Sequence, residues 1–191
     1  MRIISGAFKG RKLAALPGFA TRPTTDRVRE SIFNIIAVDI ENARVLDLFA
    51  GTGALGLEAL SRGAAGAVFV DASTGAVNII RKNIAACRAE SRARIIQWNI
   101  TKNLNCLQPA APAFDLVFMD PPYDHNLILP ALENLMKKDV MKNSATVIIE
   151  HSAREPIPES LPELHLADRR AYGKTLVSFL TVVLQEKLHR I

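Results

Sequence analysis

Short apolar or β-branched runs recur along the chain from residue 43 onward. Their length and composition predict strands that are buried on both faces of a sheet. The five runs are 43–50 (ARVLDLFA), 67–72 (AVFVDA), 94–99 (RIIQWN), 114–120 (FDLVFMD) and 145–151 (ATVIIEH).

Segments of helical length separate these runs. They cover residues 55–62, 73–90 and 126–136, and in the second segment Val77, Ile80 and Ile84 fall on one helical face. Strands that alternate with helices in this way predict right-handed crossovers and a parallel sheet with helices on both sides.

Two further apolar runs, 165–171 and 175–184, are joined by YGK, which leaves no room for a helix. They predict an antiparallel hairpin. The predicted fold class is therefore α/β: a doubly wound, mostly parallel, Rossmann-like sheet that ends in an antiparallel hairpin. This outline is typical of class I methyltransferases rather than of dehydrogenases.

A separate stretch precedes the predicted sheet. Residues 2–13 predict two short strands around an FKG turn. Residues 25–38 predict a helix, because apolar side chains such as Val28 and Ile32 recur on one face. We divide the chain into a small N-terminal extension, 1–40, made of this hairpin and helix, and a domain built on the sheet, 41–191.

The formal net charge of +5 is concentrated in this extension. Seven basic and two acidic residues precede Asp39, whereas the 17 basic and 17 acidic residues from Asp39 onward cancel. A concentrated basic arm suits a polyanionic partner such as RNA, although a solvated, charged extension explains the same composition. The candidate phosphate contacts are Arg2, Lys9, Arg11, Arg22, Arg27 and Arg29.

The composition argues against several other classes of protein. Among the 191 residues, 49% are hydrophobic, yet no run approaches the roughly 18 apolar residues of a membrane span, and the N terminus has no apolar signal region. We expect a cytoplasmic protein with no membrane partner. The two cysteines and four histidines lie in no metal-ligand spacing, so we expect no metal site.

The stretch DLFAGTGALGLEALSRGA begins at Asp47, near the end of the first predicted strand. Gly51, Gly53 and Gly56 have GxGxxG spacing, which lets the backbone pass close to a ligand and turns the amides of the next helix toward it. Asp71 ends the second predicted strand, 20 residues beyond Gly51. A carboxylate there can accept both hydroxyls of a ribose. The glycines alone are a weak signal, but the combination predicts an adenosine-containing cofactor.

Asp47 favours one cofactor over another. A dehydrogenase would use the glycines to hold a pyrophosphate. S-adenosylmethionine has no pyrophosphate, and Asp47 suits its positive ammonium and sulfonium groups better. The residues therefore favour S-adenosylmethionine without excluding a dinucleotide.

The fourth predicted strand runs into FDLVFMDPPY. An amino group conjugated to an aromatic ring is a poor nucleophile, because its lone pair is delocalised. Asp120 and the Pro121 carbonyl can accept its two hydrogens and favour the pyramidal nitrogen that attacks a methyl group. Pro121 and Pro122 fix φ at about −65° and keep these acceptors aimed. Tyr123 offers a ring on which a flipped-out base can stack, so the motif predicts methyl transfer to such an amine.

These residues do not decide which base is the target. Guanine N2 and adenine N6 both suit the acceptors at Asp120, so a DNA adenine-N6 methyltransferase is one alternative, although the short chain leaves little room for a target-recognition segment. A non-catalytic RNA-binding protein with a nucleotide-binding fold is an alternative of another class. The intact glycine motif and the complete DPPY argue against it.

Longer stretches resemble one family. RIISGAFKGRKL, RPTTDRVRESIFNII, LDLFAGTGALGLEALSRGA, FDLVFMDPPY and the late YGKT are similar to those of the RsmD family, bacterial enzymes that methylate the N2 amine of a guanine in 16S ribosomal RNA. The likeness extends over nearly the whole chain. It implies S-adenosylmethionine as cofactor, and 16S ribosomal RNA or the small ribosomal subunit particle as partner.

The resemblance also implies site residues. It places the catalytic group, Asp120, Pro121, Pro122 and Tyr123, at the target amine. The donor site that it implies consists of Asp47, Phe49, Ala50, Gly51, Gly53, Asp71, Ala72, Asn99 and Ile100. Asn99 departs from the family pattern, which has an acidic residue near the adenine, but its amide oxygen can still accept the adenine amino hydrogen. Residues 1–40 would contact RNA, and residues 41–191 would form the methyltransferase domain.

Overall fold

The computed structural model describes residues 1–15, 26–107, 113–158 and 160–183. The strands in these ranges are β1 (Arg44–Leu48), β2 (Gly66–Asp71), β3 (Ala93–Gln97), β4 (Phe114–Met119), β5 (Met141–Ser152), β6 (Ser160–Leu161), β7 (Leu164–Tyr172) and β8 (Thr175–Val182). They form one sheet in the spatial order β3-β2-β1-β4-β5-β8-β7-β6.

The first five strands are parallel to one another, and β8 runs antiparallel between β5 and β7. The strand order reverses between β1 and β4, because the chain builds outward through β2 and β3 and then returns to the other side of β1. Ligands bind at the carboxyl ends of strands at such a switch point. The predicted doubly wound sheet with its antiparallel hairpin is confirmed.

Four α-helices accompany the sheet in the described part of the chain: α1 (Asp26–Ile35), α2 (Ala54–Ser61), α3 (Thr74–Cys87) and α4 (Ile128–Met136). Short 3-10 turns at Ala37–Asp39 and Glu90–Arg92 precede β1 and β3. The Ser73 side chain accepts a hydrogen bond from the Ala76 amide at the start of α3. This cap fixes where the helix begins.

Two hydrophobic cores lie on opposite faces of the sheet. On one face α1, α2 and α3 pack together, and the rings of Phe33 and Phe118 lie 5.5 Å apart. On the other face α4 contributes Leu132. Val45 belongs to the first core and its neighbour Leu46 to the second. The central strands are buried on both faces, which explains why they are apolar along their whole length.

The N-terminal segment reverses direction as predicted but does not form two strands. One antiparallel bridge joins Arg2 to Lys12, and backbone hydrogen bonds link Ile3 to Arg11 and Leu13 to Met1. The amides of Ile4 and Ser5 donate instead to the Glu58 carboxylate of α2, at 2.8 and 3.0 Å. The two arms therefore pair as a hairpin, as predicted, but too briefly to form regular strands, and Glu58 of α2 binds the backbone between them.

The N-terminal extension packs into the first core rather than standing apart from it. Ile3, Leu13 and Phe33 are all buried among side chains of the sheet and of α2. A Cβ at Gly6 would lie only 1.9 Å from the Ser61 carbonyl oxygen, so the segment follows α2 closely. Residues on both sides of the boundary placed after residue 40 therefore share one hydrophobic core.

Candidate active site

β1 and β4 end side by side at the carboxyl edge of the sheet, next to the last residues of β5. Leu48 of β1 pairs with Met119 of β4, and Met119 pairs with Ile149 of β5. The residues that follow them therefore form a row across this edge. The row consists of Phe49, Asp120 and Glu150, and Asp71 ends β2 on the other side of β1.

The glycine motif forms the turn between β1 and α2. Gly51 and Gly53 have φ of 55° and 75°, in the left-handed region that glycine adopts without strain. A Cβ at Gly56 would lie 2.4 Å from the Phe69 ring, so glycine is what lets α2 pack closely on β2. The motif therefore builds a tight turn, the glycine turn, next to the row of strand ends.

Asp71 holds the glycine turn from the end of β2. Its Oδ2 accepts a hydrogen bond from the Gly51 amide at 2.9 Å, and its Oδ1 accepts one from the Ser73 amide at 2.8 Å. Each carboxylate oxygen has further acceptor capacity, so the group can also accept ribose hydroxyls. Ala50 is buried beneath the turn, and Ala72 is exposed beside it.

Asp47 lies under the same turn. It is 1% exposed, and its Oδ2 accepts a hydrogen bond from the Gly56 amide at 2.9 Å. Burial raises the pKa of Asp47 to about 8; the charge of Asp71 adds to the rise and the hydrogen bond from Gly56 opposes it. The carboxyl group is therefore mostly protonated at neutral pH, and the predicted contact with an ammonium group requires this proton to leave.

Asn99 and Ile100 follow β3 at the same edge. The Asn99 Oδ1 accepts hydrogen bonds from the Thr101 amide at 3.1 Å and from the Thr101 hydroxyl at 2.8 Å. The adenine amino group would need this same oxygen, so the geometry argues against the predicted contact. Ile100 is buried in the second core, and its carbonyl accepts a hydrogen bond from the Asn134 Nδ2 at 3.0 Å.

The DPPY motif leaves β4 at the row of strand ends. Asp120 is partly exposed at the edge of the sheet. Pro121 is buried, Pro122 is exposed, and Tyr123 is half-buried beside them. The register of β1 and β4 sets Asp120 next to the residue that follows β1, at the start of the glycine turn, and the rest of the motif continues from there.

The Tyr123 ring is held by its hydroxyl group. The hydroxyl donates a hydrogen bond to the Glu150 Oε1 at 2.6 Å, and the Thr175 Oγ1 lies 3.3 Å from it. Burial raises the pKa of Tyr123, and the charge of Glu150, its hydrogen bond and the more distant charge of Asp120 add to the rise. The phenol is therefore neutral and acts as a donor. It links the loop after β4 to β5 and β8.

The chain is similar to known proteins. Residues 1–181 match the family described as Conserved hypothetical protein 95. The chain is 35% identical over 178 residues to YlbH of Bacillus subtilis, which covers 93% of this chain and 97% of YlbH. It is 37% identical over 158 residues to ribosomal RNA small subunit methyltransferase D of Escherichia coli, which covers 83% of this chain and 78% of that enzyme. The chain belongs to this family, the RsmD family.

A solved structure gives the same result for the fold. The structure of yhhF from Escherichia coli superposes on this RsmD-family chain with a TM-score of 0.84 at 34% identity, covering 97% of this chain and 99% of yhhF. Family membership confirms the predicted class I methyltransferase fold and the predicted class of enzyme. This RsmD-family chain is a methyltransferase.

Two residues of this RsmD-family site escape the sequence analysis. Glu150 falls inside the apolar run of β5, and Thr175 belongs to the late YGKT. The signal that could have found Glu150 is that it directly follows the apolar residues 147–149, as Asp71 and Asp120 directly follow apolar runs. A carboxylate in that position on three strands of one parallel sheet indicates a shared edge.

Four of the six basic residues predicted to contact RNA are exposed on the extension: Arg2, Lys9, Arg11 and Arg27. Arg22 lies outside the described residues. The Arg2 Nε lies 3.7 Å from the Asp26 Oδ2 in a largely exposed ion pair, which solvent weakens. These exposed cations are available to a polyanion in the RsmD-family chain.

Arg29 is different, and its predicted contact with RNA is wrong. Its side chain is 0% exposed. Its Nη2 donates to the Asp26 Oδ1 at 3.0 Å and to the Arg2 carbonyl, and its Nε lies 3.7 Å from the Glu58 Oε2. Burial lowers the pKa of Arg29, while the charges of Glu58 and Asp26 raise it. Arg29 therefore fastens α1 to the N-terminal segment and to α2, where no phosphate can reach it.

Within residues 1–15, 26–107, 113–158 and 160–183, no group of three or more His, Cys, Asp or Glu side chains is arranged to hold a metal ion. The helices in the same ranges are all too short or too polar to cross a membrane. Cys87 is buried, Cys106 is half-buried, and both are free thiols.

Proposed function

We propose that this chain transfers a methyl group from S-adenosylmethionine to the exocyclic N2 amine of a guanine in 16S ribosomal RNA. The observation that carries the proposal is the register of β1, β4 and β5, which sets the glycine turn beside Asp120 at the switch point of the sheet. A donor on the turn and an amine at Asp120 then share one edge. Relatives of this chain that are named ribosomal RNA small subunit methyltransferase D support the choice of substrate.

The methyl donor is S-adenosylmethionine, and the residues at the glycine turn fit it. Asp71 offers carboxylate oxygens to the ribose hydroxyls, and Gly51 and Gly53 leave room for close approach. When bound, S-adenosylmethionine supplies an electrophilic methyl group on a positively charged sulfur. Asp47 gives up its proton to solvent when the donor's ammonium group binds and then balances that charge, whereas a pyrophosphate would be repelled by the Asp71 carboxylate at the turn.

The DPPY motif prepares the amine. Asp120 and the Pro121 carbonyl accept hydrogen bonds from its two hydrogens, which draws the nitrogen lone pair out of conjugation and aims it at the methyl group. As the N–C bond forms, the S–C bond of the donor breaks and leaves a neutral thioether, and the methylated nitrogen then loses one proton to solvent. Pro121 and Pro122 hold these acceptors without reorganisation during the reaction. Tyr123 stacks on the base that has left its own helix.

The N-terminal extension, residues 1–40, supplies the phosphate contacts, and residues 41–191 supply the donor site and the chemistry. Exposed cations such as Lys9, Arg11 and Arg27 neutralise phosphates and position the RNA without reading its sequence. Selection of the base then comes from the pocket at Asp120. The partner is 16S ribosomal RNA, free or assembled in the small-subunit particle, and this substrate places the reaction in the cytoplasm.

Product analysis tests the proposal. Unmodified 16S ribosomal RNA made by transcription, and particles reconstituted from it, are incubated with the protein and methyl-labelled donor and then digested to nucleosides. We expect labelled N2-methylguanosine from at least one of these substrates and none from the Asp120→Ala variant. A parallel reaction with duplex DNA that gives labelled N6-methyladenine, with no labelled nucleoside from the RNA, would support the DNA methyltransferase instead. RNA binding without any donor binding would support a non-catalytic protein.

A further inference from the structure

We propose that Glu150 is a positioning residue: through the phenol hydroxyl, it holds the Tyr123 ring in the plane on which the target base stacks. The inference rests on the proposed function and assigns a task to a buried carboxylate that belongs to neither the glycine motif nor DPPY. Glu150 lies within β5, one residue beyond Ile149, and Asp120 lies one residue beyond Met119, the partner of Ile149 on β4.

The contact between Tyr123 and Glu150 has the geometry of a strong hydrogen bond. Its length of 2.6 Å lies in the range of about 2.5 to 2.7 Å expected when a hydroxyl donates to a carboxylate. Glu150 is 5% exposed, so water competes little for its oxygen. Thr175, also buried, brings its Oγ1 to 3.3 Å from the same hydroxyl. The far end of the ring is thus anchored on two strands, β5 and β8.

The prolines cannot do this task. Pro121 and Pro122 restrict the backbone that leads to Tyr123, but the orientation of its ring depends on side-chain torsions. The ring is only half-buried. A partly exposed ring can change its rotamer unless its far end is held, and the bond to Glu150 holds that end.

The loop itself has a separate brace. The Asp124 amide donates a hydrogen bond to the Glu155 Oε2 at 3.1 Å, which ties the backbone after Tyr123 to the segment that follows β5. The bond to Glu150 therefore acts on the ring more than on the backbone. This separation predicts that loss of the bond changes the stacking platform and leaves the loop in place.

The position of Glu150 explains why the plane of the ring matters. Glu150 and Asp120 occupy equivalent positions on adjacent parallel strands, which lie about 4.8 Å apart. A base stacked on Tyr123 must present its amine to Asp120, and the tilt of the ring sets the angle of approach. Small errors in the placement of reacting groups cost large factors in rate.

Two substitutions separate the bond from the ring. Tyr123→Phe keeps the ring and loses the hydroxyl, and Glu150→Gln keeps an oxygen acceptor and loses the charge. In single-turnover methyl transfer with saturating donor and RNA, we expect Tyr123→Phe to be about ten- to 150-fold slower, the effect of one hydrogen bond to a charged group. Glu150→Gln should lie between Tyr123→Phe and wild type. The double variant should be no slower than Tyr123→Phe, because the bond is already lost.

A matched control is available on the neighbouring strand. Asp115 lies at the opposite end of β4, where its Oδ1 pairs with the Lys142 Nζ at 2.6 Å. Asp115→Asn also removes one carboxylate charge from the sheet, and it should transfer methyl at the wild-type rate. Donor affinity, measured by calorimetry, should be unchanged in both Glu150→Gln and Asp115→Asn.

Several outcomes would overturn the inference. A wild-type rate for Tyr123→Phe beside a slow Tyr123→Ala would mean that the ring matters and its hydroxyl bond does not. Additive losses in the double variant would mean that Glu150 acts without Tyr123. A loss of donor affinity in Glu150→Gln that matches its loss of rate would indicate a structural role. The identity of the methylated nucleoside is scored in the same reactions, so a wrong substrate and a wrong role for Glu150 are told apart.

Discussion

Asn83 of α3 fastens Ala14 of the N-terminal segment through both sides of its amide group. Its Oδ1 accepts a hydrogen bond from the Ala14 amide at 2.7 Å, and its Nδ2 donates to the Ala14 carbonyl at 3.1 Å. The same Nδ2 donates to the carbonyl of Thr52, in the glycine turn, at 2.8 Å. Asn83 is 1% exposed. One buried side chain therefore joins the N-terminal extension to the glycine turn.

Asn83→Leu should loosen both elements at once. The substitution keeps a similar volume but leaves polar backbone groups of Ala14 and Thr52 without their partner, at a cost of about 1 to 3 kcal/mol for each unpaired group. We expect a lower melting temperature and weaker donor binding. Asn78→Leu is the control, because Asn78 lies exposed on the same helix. Equal melting temperatures for Asn83→Leu and wild type would mean that the hydrogen bonds of Asn83 do not stabilise the fold.

Asp47 should make the folding stability of the donor-free protein depend on pH. Its pKa of about 8 in the fold exceeds the ordinary value of 3.8, so between these values the folded state keeps a proton that the unfolded state has released. The contribution of Asp47 to stability is then present in full below about pH 4, is lost as the pH rises toward about 8, and is constant above that.

Asp47→Asn exposes this dependence by comparison. The amide does not titrate, but its oxygen still accepts the hydrogen bond from the Gly56 amide. Its free energy of unfolding, relative to that of wild type, should therefore rise with pH between about 4 and 8. Urea unfolding at several pH values measures the difference. A difference that stays constant across this range would mean that the pKa of Asp47 is not raised.

Asp71→Ala should weaken S-adenosylmethionine binding at least about tenfold, because it removes two hydrogen bonds to a charged acceptor, each worth about 1.5 to 3 kcal/mol. Asp71→Asn keeps one oxygen acceptor and should fall between Asp71→Ala and wild type. Calorimetric titration with the donor gives both affinities. Unchanged affinity in Asp71→Ala would remove this carboxylate from the donor site.

The central strands are predictable because local sequence decides them. β1, β2 and β4 are short apolar runs that end at turn residues, and once such strands are parallel, Asp71 and Asp120 must reach the same edge. β5 shows the limit of this reasoning. It begins at Met141, four residues before its apolar run, because pairing of Met141 with Phe114 extends the strand through polar positions such as Lys142.

The two arginines of α1 show what charge alone cannot decide. Arg27 and Arg29 both contribute to the basic count, yet Arg27 is exposed and Arg29 is fully buried. Helical periodicity places Arg29 on the same face as Ile32, which hints at burial. Its partner Glu58 lies on another helix, 29 residues later, and only the folded chain brings the two together. The same reason applies to Glu150, whose partner Tyr123 lies 27 residues earlier on another element.

The exposed cations of the extension should control the salt dependence of RNA binding. If Lys9 and Arg11 each neutralise a phosphate, replacing both with Gln should flatten the plot of log affinity against log salt concentration by roughly two units at most. Donor affinity should not change. Fluorescence anisotropy with labelled RNA at several salt concentrations measures the slope.

Lys137 and Lys138 provide the control for this experiment. They follow α4, which covers the face of the sheet opposite α1. Replacing both with Gln makes the same change in net charge and should leave the slope at its wild-type value. An unaltered slope in the Lys9 and Arg11 double variant would mean that the extension is merely solvated.

Asp120 carries the strongest prediction about the chemical step. Asp120→Asn keeps an oxygen acceptor of the same shape but loses the charge that polarises the amine. Loss of one preorganised electrostatic contact of this kind costs about 10² to 10³ in turnover, and Asp120→Ala should cost at least as much, because it also releases the base. Both variants should stay folded, since Asp120 is partly exposed at the end of β4. Single-turnover methylation with saturating donor and RNA separates the chemical step from binding. Methyl transfer by Asp120→Asn at the wild-type rate would mean that the charge of Asp120 does not assist the reaction and that DPPY only shapes the pocket as a rigid turn.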